Sequence, residues 1–191
     1  MARFSSFTRG FRFQATQDQN VTALGVYDVD LDGLTLNVSS TGANVGLWDD
    51  TGTLLGDVSV PGGTNAPIID GFRYAALDTP VGLTTGSFYR VGANTQDIIN
   101  IDHIRTVTAD TLNGIDTVQS VTGSAGGILT FPSFFADNPG EVQLGGMVLF
   151  GDVPSASVPF EFSPAMGLLL AGGLLGGRQL QRRRQAKKLV D

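Results

Sequence analysis

Between Gly10 and about Gly151 the chain is written in short runs of β-branched, aromatic and aliphatic residues, broken every several positions by Gly, Asn, Asp or Pro. Strands need only a few residues each with turn residues between them, and no amphipathic helix of useful length appears here. The runs predict strands at 10–15, 20–28, 43–48, 54–60, 71–77, 87–93 and 146–150, with weaker ones at 98–107 and 128–131. Asp49, Asp50, Thr51 and Gly52 join two runs as a hairpin in which Gly supplies the positive φ, and Pro61, Gly62 and Gly63 end the second run. Strands of this kind bury one face each most simply as two antiparallel sheets, so the expected fold is an all-β sandwich, jelly-roll or immunoglobulin-like. Alternation puts Phe11 and Phe13 on one face of their strand, and Val45 and Leu47 on one face of theirs. Gly-Phe-Arg-Phe at 10–13 and Gly-Phe-Arg-Tyr at 71–74 share strand chemistry, but their flanks do not match as a repeat. From 94 to 139 the pattern turns polar and Thr-rich, which reads as a long excursion from the sandwich with a short helix near 95–100.

A chain of 191 residues suits one domain and a tail. The expected division is an irregular lead-in at 1–9, a sandwich at 10–151, a linker at 152–157 and a distinct segment at 158–191. Charge follows the same boundary. Residues 1–152 hold six arginines, no lysine and sixteen acids, a balance of −10, whereas 153–191 hold six basic residues and two acids, a balance of +4. Phosphate backbones would be repelled by so acidic a body, which argues against nucleic acid as its partner. With no Cys and one His, disulfide scaffolds, thiol nucleophiles and Cys- or His-rich metal sites are excluded.

Residues 165–177 carry no charge, and Arg178, Arg182, Arg183 and Arg184 follow them. As a helix, 162–177 would reach about 24 Å against a hydrocarbon core of roughly 30 Å, a marginal span that 158–161 would lengthen at the cost of including Glu161. In that arrangement the basic end lies on the cytoplasmic side and the sandwich outside. The alternative is a helix packed on the sandwich, which Gly172, Gly173, Gly176 and Gly177 disfavour by roughly 1 kcal/mol each. The order of motif, apolar stretch and basic cluster resembles a PEP-CTERM sorting signal, with Pro159, Phe160, Glu161, Phe162, Ser163 and Pro164 in place of the tripeptide. That resemblance implies an exosortase-like membrane protease as partner, removal of the apolar tail, and delivery to the cell surface or extracellular matrix. The first nine residues contain no apolar signal region, so export implies a leader upstream of Met1 or one already removed; a tail-anchored protein facing the cytoplasm is the rival arrangement.

The body has its own resemblance. Gly10-Phe11-Arg12-Phe13, then Leu24-Gly25-Val26-Tyr27-Asp28, then Val45-Gly46-Leu47-Trp48-Asp49, then Gly71-Phe72-Arg73-Tyr74, is similar to a bacterial domain of unknown function found in secreted and surface proteins. The resemblance implies a β-sandwich without catalytic residues, often beside carbohydrate-active or adhesive modules.

Two candidate sites emerge from the residues themselves. Asp28, Asp30 and Asp32 before Gly33 have the spacing that presents three carboxylates to calcium, although Thr35 and Ser39 depart from the full calcium-loop pattern; the plainer reading is an acidic loop closing a hairpin. Trp48 and the tyrosines Tyr27, Tyr74 and Tyr89 could form a platform for stacking on sugar, core packing being the plainer reading; Trp48 is out of phase with Val45 and Leu47 and so points away from their face, which makes it the candidate ring. His103 and Asp102 are strand neighbours facing opposite ways, and Glu141 is the one Glu of the body, so hydrolytic chemistry has little to work with. The function expected is a non-catalytic, exported module serving as a structural or binding unit of the envelope or matrix. A calcium-dependent, lectin-like module for extracellular polysaccharide is second, and a hydrolase third.

Overall fold

The computed structural model describes residues 7–34, 42–95, 105–108, 111–112, 114–124, 129–135 and 141–152. All lie in the first of the two units into which the chain divides, Met1–Ala156. The described residues are all-β: β1 (Phe7–Ala15), β2 (Gln19–Tyr27), β3 (Ala43–Asp49), β4 (Leu54–Val60), β5 (Ile68–Ile69), β6 (Phe72–Leu83) and β7 (Phe88–Thr95), then β8 (Arg105–Thr108), β9 (Thr111–Leu112), β10 (Ile115–Thr122), β11 (Phe134–Phe135), β12 (Glu141–Leu144) and β13 (Gly146–Phe150). Two antiparallel sheets pack together as a β-sandwich. One has the order β11-β10-β1-β7-β3-β4, with β9 on β10; the other runs β13-β2-β6-β5, and β12 pairs with β8. Among the described residues there is no helix long and apolar enough to cross a membrane. The helix expected near 95–100 and the apolar segment 158–191 both lie outside them.

Period-2 alternation builds the larger sheet. Phe11, Phe13 and Ala15 of β1, Tyr89 and Val91 of β7, Val45 and Leu47 of β3, and Val58 and Val60 of β4 are buried at every second position. Phe13 stacks on Tyr89 with ring centroids 5.8 Å apart, and the Phe11 ring lies at the same distance from it, tilted. In β2 the run Ala23, Leu24, Gly25 and Val26 is buried without alternation, as in a strand covered on both faces.

The segment 94–139, expected to leave the sandwich, contributes β10, which pairs along β1 from Arg9↔Thr122 to Ala15↔Ile115. Two features hid this strand in the sequence. Its Ser120 is buried opposite Phe11, a polar residue at an inward position, and the register slips between Arg12 and Phe13, so no clean alternation runs its length. Of the two weaker predicted strands, 98–107 overlaps β8, whereas 129–131 carries no strand and leads into β11. The first strand also starts earlier than predicted, at Phe7.

Between β3 and β4 the predicted hairpin forms. Gly52 adopts φ of 103° and donates to the Asp49 carbonyl at 3.2 Å, while the Asp49 amide donates to Thr53 at 3.0 Å. On the outward face Gly10, Gly92 and Gly46 stand side by side on β1, β7 and β3. Lacking side chains, they let neighbours approach: a Cβ at Gly10 would strike the Val91 carbonyl oxygen, and one at Gly92 would stand 2.9 Å from Thr8 Cγ2. The Trp48 indole and Leu129 lie over Gly46, so closely that a Cβ there would stand 2.5 Å from the ring and 3.0 Å from the leucine. Thr130 is fastened beside it by donating its amide to the Thr8 hydroxyl at 2.9 Å.

Candidate functional site

The next outward row places Arg12, Arg90, Trp48 and Leu54 across β1, β7, β3 and β4. Two arginines directly opposite one another would repel. Asp50, at the hairpin turn, resolves this by accepting from Arg12 Nε and Nη2 at 2.9 and 2.7 Å and from Arg90 Nε at 3.0 Å. Hydrogen bonding from Arg12 first, and then from Arg90 against partial burial, holds the Asp50 carboxyl below the usual carboxylate range. Arg90 also donates through Nη1 to the Pro132 carbonyl at 2.7 Å, and its guanidinium lies 4.7 Å from the Phe131 ring centre and 4.9 Å from that of Phe135. Arg12 covers the Phe88 ring at 3.7 Å. Arg90 is thus a post on which residues 131–135 rest, and Phe134 and Phe135 remain 61% and 47% exposed on the edge strand β11.

Trp48 does project from the face opposite Val45 and Leu47, but it is 4% exposed, with Phe131 packed edge-on against it at 6.3 Å. As a sugar platform it is therefore corrected: a side chain on the outward face is covered by a segment eighty residues away in sequence. Tyr74 and Tyr89 are buried and Tyr27 half-buried. Among the described residues the exposed aromatic rings are Phe134 and Phe135, which the strand pattern did not single out. Their signal was three phenylalanines within 131–135, a stretch without strand alternation where polar loop residues are expected.

The acidic triplet also comes apart. Asp28 is 3% exposed and accepts from Arg73 Nε at 2.6 Å and from the Gly33 amide at 3.1 Å, whereas Asp30 and Asp32 face solvent. Arg73, itself 4% exposed, donates onward to the carbonyls of Ala66 at 2.9 Å and Leu31 at 3.4 Å. A carboxylate held by a buried guanidinium has its charge already matched, so the triplet forms a turn stapled from beneath. Among the described residues no three acidic, His or Cys side chains gather where a metal ion could be held. Gly33 has the role its spacing suggested: φ is 112°, and a Cβ there would stand 2.7 Å from the Gly63 backbone. His103, Asp102, Pro159 to Pro164 and the basic residues from Arg178 onward lie outside the described residues, and nothing is described of the Glu141 side chain.

Three surface carboxylates share one behaviour. Thr51 and Thr53 donate to Asp49 and bring its pKa from 3.8 to about 2, with the Thr51 hydroxyl foremost; the Thr85 amide and hydroxyl lower Asp18; and Asp50 is lowered as above. A depressed folded-state pKa contributes stability that is fully present above the unfolded value and is lost as pH falls through the folded one. We expect the melting temperature to fall mainly between about pH 4 and pH 2. Asp49→Asn keeps the acceptor oxygen without the charge, and a thermal-melt series should show a shallower acid limb in that variant; an unchanged limb would exclude Asp49 as a contributor.

Fold and face together define an antiparallel β-sandwich domain with an arginine-centred aromatic rim on its larger sheet. The chain belongs to the family described as Domain of unknown function (DUF4082), which matches residues 2–130. No curated protein matches it. The family match ends at Thr130, so β11 to β13 and the exposed phenylalanines lie beyond it.

Proposed function

We propose that this chain is an exported, non-catalytic β-sandwich module, sorted or anchored at the cell envelope through residues 158–191, that serves as a binding unit of the surface or extracellular matrix. One observation carries the binding role: Phe134 and Phe135 are exposed on the sheet edge, with Arg90 tied to the segment that bears them. Exposed aromatic side chains on a preorganised scaffold suit recognition, because little conformational freedom is lost when a ligand stacks on them. The export half is supported by the uncharged run of 165–177 between the PEP-CTERM-like motif and the arginine cluster. With no metal-gathering group among the described residues and Asp28 tied to Arg73, the calcium-dependent variant has no observation in its favour.

The test has two arms. Full-length Phe134→Ser/Phe135→Ser should keep its melting temperature within about 2 °C, as expected of exposed positions, and lose retention on immobilised surface polysaccharide that captures the parent. Equal retention would remove the binding role. Charging the tail with Leu168→Asp and Leu169→Asp should move the chain from membrane to soluble fractions, and an unchanged distribution would remove the anchor.

A further inference from the structure

We infer that the face between Arg12 and Phe135 takes an acidic polysaccharide, a chain of sugar rings bearing carboxylates. This rests on the binding reading above and names its ligand class. Arg12 and Arg90 share the single carboxylate of Asp50, so the node keeps one positive charge inside an otherwise acidic body. Arg90 is 8% exposed and packed on the Phe131 and Phe135 rings, whereas Arg12 is 19% exposed beside the 32% exposed Asp50, so of the two arginines Arg12 is the one that meets solvent. Asp50 occupies Nε and Nη2 of Arg12, which leaves Nη1 of the guanidinium to donate to a ligand carboxylate. Only β10 separates β1 from β11, which sets their backbones about 10 Å apart.

An extended chain of sugar rings covers that span, with a carboxylate at Arg12 and the C–H face of a ring on the side of Phe135 turned from Arg90; Phe135 pairs with Val121, which lies opposite Gly10, two positions along β1 from Arg12. A flat ring standing on a sheet favours a stacked sugar over an acidic peptide, which has no such face to offer. Carboxylates elsewhere on the body are screened beyond about 8 Å at physiological salt, so the groups nearest the ligand set its potential.

Calorimetric titration of the full chain with polygalacturonate, its methyl ester and polyglutamate tests this. Polygalacturonate should bind, weaken as salt rises, and lose at least tenfold in affinity in Arg12→Gln and in Phe135→Ala, with Arg12→Lys in between. Phe135→Ala keeps the test independent of folding, since the ring is half exposed. Equal binding of the methyl ester, still lost in Phe135→Ala, would overturn the acidic class and leave the binding face standing. Equal binding of polyglutamate would make the site one for acidic peptides and overturn the proposal. No binding of the three, or indifference to Phe135→Ala, would overturn the proposal together with the face itself.

Discussion

Replacing Arg73 with Leu should lower the unfolding free energy by about 3–5 kcal/mol, because it strands the Asp28 carboxylate in a buried site with no counter-charge. The pair is closed from solvent on both sides, at 3% and 4% exposure. The same guanidinium also ties the carbonyls of Ala66 and Leu31, so its removal loosens the 28–34 turn and the approach to β5 together. In a domain of this size, a loss of that order corresponds to roughly 10 °C or more in melting temperature. Urea unfolding of Arg73→Leu, Asp28→Asn and the double variant should show strong coupling, the double variant being less destabilised than the sum of the singles. A loss under about 1 kcal/mol for Arg73→Leu would mean that water reaches the pair.

Phe13→Ala should be comparably severe, at about 3–5 kcal/mol, because a fully buried ring leaves a cavity as well as a lost transfer term. Its neighbours have little room to collapse. Tyr89 is held by its hydroxyl, which accepts from the Thr84 amide at 2.9 Å, and Phe11 belongs to the same strand. Phe134→Ala serves as the internal control. The same substitution at a ring 61% exposed should change stability by less than about 0.5 kcal/mol. Similar losses at both positions in chemical denaturation would contradict the assignment of inward and outward faces.

The two tetrapeptides of near-identical sequence show where reading residues in order stops. In 10–13, Phe11 and Phe13 enter the core and Arg12 faces outward to Asp50. In 71–74 all three of Phe72, Arg73 and Tyr74 are buried, and the arginine meets Asp28. Alternation says that the arginine and the aromatics point to opposite faces; it does not say whether the second face is covered. Trp48 repeats the lesson, since its phase was legible and its cover, Phe131, was not. The acidic spacing 28–32 was legible as a turn, whereas the buried cation that takes up Asp28 comes from forty-five residues away.

Strand content, the hairpin at Asp49–Gly52 and the antiparallel sandwich follow from local terms: period-2 burial, backbone freedom at glycine and the short reach of each run. Those terms act between residues a few positions apart, and the amino-acid order contains them directly. The place of β10 beside β1, the shared carboxylate of Arg12 and Arg90, the covering of Trp48 and the opening of Phe135 were decided by the tertiary structure. Each depends on which distant segments the sheets bring within a few ångströms, a property of pairing and packing that no local pattern encodes.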